Sequence, residues 1–159
     1  MRGGEIDGEL YRAFFEEFSD DPIPSRSERG RFHDESTRPR STTYLAVSQE
    51  AAWREVTYRW QADPKVYRIA KVGVKLSTVI DLTDPKTRTH YGVTEKELRS
   101  ADHTPCQRLA RRLRADGVEA AWTYSFADQP RGRQLVVFLD QLKPGSEVKV
   151  SKVVPIKPR

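Results

Sequence analysis

The sequence predicts an α+β fold: a single domain with a mixed, largely antiparallel sheet at its core and helices at the periphery. Its apolar residues come in short blocks rich in β-branched and aromatic side chains, with the period of two that suits half-buried strands. Between those blocks lie segments of helical spacing marked by N-cap and stop residues. The 159 residues contain no internal repeat and no second compositional regime, which fits one domain of ordinary size. The expected core runs over residues 10–142, with flexible ends at 1–9 and 155–159.

Taken in order, residues 10–15 (Leu10-Tyr11-Arg12-Ala13-Phe14-Phe15) read as a first strand. Residues 16–41 are rich in Pro, Ser, Arg and Asp, with Phe32 the main core candidate, and a loop of that length is usually disordered or functional. Residues 42–47 form a short strand, and Ser48 stands at the N-cap of a helix that steps through Ala51, Ala52, Glu55 and Val56 to Trp60. Pro64 bars its continuation. Residues 66–72 and 74–82 suit two neighbouring strands. Asp84-Pro85 opens a helical turn, and Thr94-Glu95-Lys96-Glu97 has capping-box form. Thr104-Pro105-Cys106-Gln107 predicts a helix with Thr104 as N-cap, proline at the first position and glutamine reaching back, running to a stop at Gly117. Residues 118–125 and 134–139 read as strands joined by the polar turn 128–133, and 147–154 as a last strand.

Charge and composition exclude several classes. No apolar run approaches the ~20 residues of a bilayer span, and the first seven residues hold no apolar stretch of a secretory signal. Cys106 is the single cysteine and His33, His90 and His103 are scattered, a poor set for a disulfide or a metal. The expectation is a cytoplasmic protein that binds neither membrane nor metal. Lys and Arg number 28 against 23 acids; residues 1–21 carry a net −5, so the remainder carries +10. Arginines cluster at 26, 29, 31, 38 and 40, and again at 108, 111, 112 and 114. Such a surface suits nucleic acid or a phosphate-bearing ligand. A solvated helix face is the plainer reading of the second cluster, and no zinc-finger or aromatic RNA-binding signature accompanies it.

Glycine-rich phosphate loops and a Gly-x-Ser-x-Gly elbow are both missing from the sequence. The candidate chemistry lies around the strand at 42–47: Arg31 before it, Tyr44 on it and Glu55 on the helix after it. Glu55 follows Ala51 and Ala52 by four and three residues, so it projects near a face of small apolar side chains. Taken singly, each has an ordinary reading: a salt-bridged glutamate, a core tyrosine, a loop arginine.

The order Gly30-Arg31-Phe32, then Tyr44-Leu45-Ala46-x-Ser48-x-x-Ala51-x-x-x-Glu55, resembles the RES domain family, named for its Arg, Glu and Ser. The likeness extends to Leu10-Tyr11-Arg12-Ala13, to Val79-Ile80-Asp81-Leu82-Thr83-Asp84-Pro85, to the segment from Gln107 to Val118, and to Tyr124-Ser125 with Leu135-Val136-Val137-Phe138. The chain departs from the family at Arg29, where a second glycine is frequent, and at His33, where asparagine is frequent. It also departs after Ser125, where Phe126-Ala127-Asp128 lacks a basic residue and the turn is slightly longer.

The resemblance implies an ADP-ribosyltransferase-like fold and the toxin half of a bacterial toxin–antitoxin pair, neutralised by an Xre-type helix-turn-helix antitoxin. The implied reaction breaks the nicotinamide–ribose bond of NAD, consumed as substrate with no cofactor and no metal. Carried onto this sequence, Glu55 stabilises an oxocarbenium-like ribose, Arg31 clamps the diphosphate and Tyr44 stacks on nicotinamide, as the catalytic residues. Ser125 and His33 are the substrate-binding residues; Ser125 bonds nicotinamide or ribose, or holds Glu55. Two readings stand for His33, a replacement for the asparagine's hydrogen bond or a plain loop residue. Two other functions compete: a basic nucleic-acid-binding module, and a catalytically silent interaction domain of the same fold.

Overall fold

The computed structural model describes residues 4–60, 66–125 and 132–154. Among them, six strands form one mixed sheet: β1 (Gly4–Phe15), β2 (Thr42–Ala46), β3 (Tyr67–Asp81), β4 (Ala120–Tyr124), β5 (Arg133–Phe138) and β6 (Glu147–Val154). Four α-helices accompany it: α1 (Gln49–Trp60), α2 (Pro85–Tyr91), α3 (Glu95–Arg99) and α4 (Thr104–Ala115). The sheet order is β1-β2-β5-β4-β3-β6, and β1 also pairs with β3, so the first five strands form a closed circuit with β6 alongside β3. Only β3–β4 is parallel among these pairings. The α+β expectation holds.

Alternation along β4 and β5 explains their place at the centre. Leu135, Val137 and Ala120 face a core inside the circuit with Leu10, Phe14, Leu45 and Val72. Val136, Phe138 and Ala121 face the opposite core, built with Leu98, Leu109 and Leu113 from α3 and α4. Strands buried on both faces must be apolar throughout, which is why 135–138 reads Leu-Val-Val-Phe. A third cluster packs Ala51 and Ala52 of α1 on Ala46, Ile69 and Val154. Small residues at 51 and 52 let α1 approach the sheet closely, directly beside Glu55.

Local signals set several boundaries. Ser48 Oγ accepts from Ala51 N–H at 3.0 Å, opening α1. Asp84 accepts from Lys86 N–H before Pro85, and Thr94 with Glu97 closes the capping box. Gly117 takes φ 76° just past α4, where a side chain would be strained.

Three expectations are corrected. Residues 66–72 and 74–82 are not two strands: β3 runs unbroken through Gly73, which pairs with Glu9 of β1 on one side and Lys149 of β6 on the other. A backbone paired on both edges leaves no room for a turn. Residues 4–9 are not a flexible end but the start of β1, paired with β3 from Gly4 onward, and β6 extends the sheet past residue 142. The N-cap of α4 is His103 rather than Thr104, and Gln107 does not reach back. Its amide is drawn instead to the carbonyls of Gly30 and His33, at 2.9 and 3.2 Å. Pro64, the turn at 128–131 and the end at 155–159 lie outside the described residues.

Candidate active site

A cavity of about 290 Å³ opens between β1, β2, α1 and the loop that precedes β2. Arg31, His33, Tyr44 and Glu55 all line it, so residues spread over 25 positions of sequence meet at one hollow. Ser125 reaches it through Glu55: its hydroxyl donates to Glu55 Oε1 at 2.5 Å, while its own N–H is held by the Gly132 carbonyl at 2.9 Å. That bond ties one oxygen of the carboxylate that lines the hollow. A second cavity, about 410 Å³, lies under residues 33–42 and shares Ser25, Arg26, Ser27 and His33 with the first.

The loop is not loose. Phe32 is fully buried in the helix-side core. Asp34 accepts from Ser36 N–H at 3.0 Å and pairs with Arg111 of α4. Bonds from the Ser36 hydroxyl and from Arg111, larger together than the opposing cost of burial, hold its carboxyl well below the usual range. Arg114 donates to Thr42 Oγ1 at 2.6 Å, pairs with Asp140 at 3.2 Å and covers the Phe138 ring at 4.6 Å. Arg112 lies over Tyr91 at 4.8 Å. The arginines at 111, 112 and 114 are therefore spent on the protein itself, which weakens the nucleic-acid reading.

His33 and Tyr44 form the tightest part of the wall. His33 Nδ1 lies 2.9 Å from the Tyr44 hydroxyl and Nε2 3.0 Å from the Ser27 carbonyl. The Tyr44 oxygen also accepts from Phe32 N–H at 3.0 Å. Burial lowers the His33 pKa against the Ser27 carbonyl bond, which raises it; Arg114 and Arg12 add to the lowering and Asp34 opposes it. Gly30 closes the turn by giving its N–H to the His33 carbonyl at 2.8 Å. A side chain there would meet the His33 ring at 2.2 Å and the Tyr44 oxygen at 2.9 Å. His33 is thus no plain loop residue: it is 6% exposed and bonded at both ring nitrogens.

Arg31 is 5% exposed, and its Nη1 donates to the carbonyls of Leu98 and Ser100 at 3.1 and 2.6 Å. It closes off the C-terminal end of α3, where orphan carbonyls favour a cation. Beside it, burial pushes the Cys106 thiol up, with Arg31 pulling the other way. Sequence reasoning passed over a second cation in this wall, Arg12 of β1. Its Nε donates to the Pro22 carbonyl at 3.1 Å, and its other nitrogens reach the carbonyls of Tyr44 and Pro24 at 3.4 Å each. Burial, together with Arg26 and against the favourable pull of Tyr44, brings its pKa down to about 10, so it stays charged at neutral pH. The signal was available: an arginine between Tyr11 and Ala13 in a strand whose neighbours are apolar. Among the described residues, no group of three His, Cys, Asp or Glu is placed to hold a metal ion. None of the described helices is long and apolar enough to cross a membrane.

Fold and site together define an α+β domain whose cavity sets a hydroxyl-anchored carboxylate and a tyrosine ring beside the buried Arg31 and half-buried Arg12 guanidiniums. The chain belongs to the RES domain family, whose sequence profile matches residues 7–157. A Mycobacterium tuberculosis protein named "Probable NAD(+) phosphorylase" is 35% identical over 138 residues, spanning 82% of this chain. The chain spans 63% of that relative's length. In structure it is similar to a chain of the Mycobacterium tuberculosis MbcT–MbcA toxin–antitoxin complex, at TM-score 0.78 and 22% identity, over 98% of this chain and 87% of that one.

Proposed function

We propose that this chain is the toxin of a toxin–antitoxin pair and degrades NAD in the cytoplasm by cleaving its nicotinamide–ribose bond. The observation that carries the reading is the Ser125-anchored Glu55 carboxylate, lining the same hollow as Tyr44, the buried Arg31 and the half-buried Arg12. Membership of the RES family and the name of the mycobacterial relative support it.

Nicotinamide leaves NAD as a neutral molecule, because the bond's electron pair quenches the pyridinium charge. No acid is needed at the leaving group. What the reaction requires is stabilisation of the positive charge growing on the ribose, as in glycoside cleavage. Glu55 supplies that: Oε1 accepts from Ser125, and the carboxylate's negative charge acts most strongly on the transition state, where the ribose carries its positive charge. Tyr44 offers its ring to nicotinamide. Arg12 and Arg31 give the wall a positive potential suited to the diphosphate, although the bonds of Arg31 to Leu98 and Ser100 make it part support. The volume near 290 Å³ falls just under the usual range for ligand pockets, about 300–1,000 Å³, and suits the nicotinamide–ribose half of the dinucleotide. NAD is substrate, with no metal or cofactor, and the partner is an Xre-type antitoxin.

The test is nicotinamide release from NAD by the purified chain, with and without inorganic phosphate. Phosphate-dependent release with a phosphorylated ADP-ribose product makes it a phosphorylase, as the mycobacterial relative's name suggests; phosphate-independent ADP-ribose makes it a hydrolase. Release of no nicotinamide in either buffer refutes the proposal.

A further inference from the structure

We propose that His33 is a positioning residue for Tyr44: its bare Nδ1 accepts the hydroxyl proton, so the tyrosine turns its ring, and no acidic proton, toward whatever fills the cavity. The kinetic half of this proposal rests on the NAD-cleaving reading; the structural half does not.

The proton inventory fixes the arrangement. A carbonyl oxygen can only accept, so the 3.0 Å contact with Ser27 requires the proton on Nε2. In the neutral ring Nδ1 is then an acceptor, and the partner 2.9 Å away is the Tyr44 hydroxyl. That oxygen already takes the Phe32 N–H at 3.0 Å, so its one proton goes to Nδ1. Burial of the ring, and the cations of Arg114 and Arg12 near it, disfavour the imidazolium that would reverse this order, over the opposing pull of the Ser27 carbonyl and Asp34. The turn that carries His33 is clamped separately, by Gln107 on two carbonyls and by the missing side chain of Gly30.

The consequence is chemical. A hydroxyl held from both sides cannot swing to follow a ligand, so the tyrosine ring is a preset wall. A departing nicotinamide needs no proton, and the site withholds the nearest one. His33 also lines both cavities, so the ring that orders Tyr44 is part of the partition between them.

Three variants test this. In an asparagine, Oδ1 stands where Nδ1 stood; in a glutamine, the amide nitrogen stands near the place of Nε2. His33→Asn keeps the acceptor for Tyr44 and should hold kcat/KM for nicotinamide release within about threefold. His33→Gln and His33→Ala lose it and should fall roughly tenfold, the size of one buried neutral hydrogen bond, with thermal unfolding used to confirm that each is folded. A glutamine variant that outperforms the asparagine one would assign the contribution to the Ser27 bond and overturn the proposal, as would equal losses in all three or full activity in His33→Ala. Independently, the ring ¹⁵N shifts of His33, assigned against His33→Asn, should show a protonated Nε2 and a bare Nδ1 at neutral pH without NAD. The opposite tautomer or an imidazolium overturns the proposal. A wild-type chain that shows this tautomer but releases no nicotinamide refutes only the NAD reading.

Discussion

Gly30→Ala isolates the most crowded point in the site. The added methyl would stand 2.2 Å from His33 Cε1, 2.7 Å from Nδ1 and 2.9 Å from the Tyr44 oxygen, all inside contact distance. None can yield cheaply, since His33 is buried and bonded at both nitrogens and Gln107 holds the carbonyls at 30 and 33. Overpacking of this kind costs about 1–3 kcal/mol, offset by about 0.4–1 kcal/mol from the stiffer unfolded chain. A net of about 1–2 kcal/mol lowers the Tm of a chain this size by about 3–6 °C. Gly8→Ala is the control: exposed on β1, with nothing within 4 Å of the new methyl, it should match or exceed wild type. Because two of the three clashes are with the His33 ring, the double variant with His33→Ala should recover about 1 kcal/mol of the Gly30→Ala cost. Calorimetry or denaturant melts of the four proteins complete the cycle. An identical cost of Gly30→Ala with and without the ring would show that the imidazole is not what the methyl strikes, and the account of the loop would fail.

Glu55→Gln keeps an acceptor for Ser125 but removes the charge; nicotinamide release should drop by about 10²–10³ in kcat with Tm near wild type, and a variant retaining most turnover would remove Glu55 from the chemistry. Arg31→Ala uncovers the carbonyls of Leu98 and Ser100, so it should cost about 2–3 kcal/mol in denaturant melts as well as activity; an unchanged stability would mean that those bonds support nothing. Glu119 is fully buried, and the burial that would raise its pKa is outweighed by bonds from Lys143 N–H, Ser146 and Ser77, bringing it to about 2 from 4.5. Its ionised form therefore contributes stability that is complete above about 4.5 and is lost as the pH falls through about 2, on the order of 3 kcal/mol. Acid unfolding of Glu119→Gln should be correspondingly flatter across that window, and a curve parallel to wild type would discount the carboxylate.

What could be read from the sequence was local. Ser48, Asp84-Pro85, the Thr94–Glu97 box and Gly117 act within four residues of themselves, and each marks a boundary the structure keeps. Gly73 misled because its neighbours across the sheet, Glu9 and Lys149, are some seventy residues away in either direction. Gln107 misled for the same reason: its amide prefers two carbonyls of a distant loop to the start of its own helix. The Glu55–Ser125 bond crosses 70 positions, and only the family resemblance joined the two. Arg12 was passed over because a strand arginine reads as an edge charge until the loop at 22–24 is seen folded onto it.

The junction between β1 and β2 is a single pair, Tyr11 with Ala46, whereas the other junctions of the circuit hold from three pairs at β3–β4 to eleven at β1–β3. Both residues of that lone rung line the cavity. The circuit's seam thus lies at the wall of the cavity, and the Arg12 guanidinium, reaching from β1 to the Tyr44 carbonyl of β2, is a further stitch across it. Among the described pairings, this cavity wall is therefore the place where the circuit is joined by one rung and a long hydrogen bond rather than by a ladder.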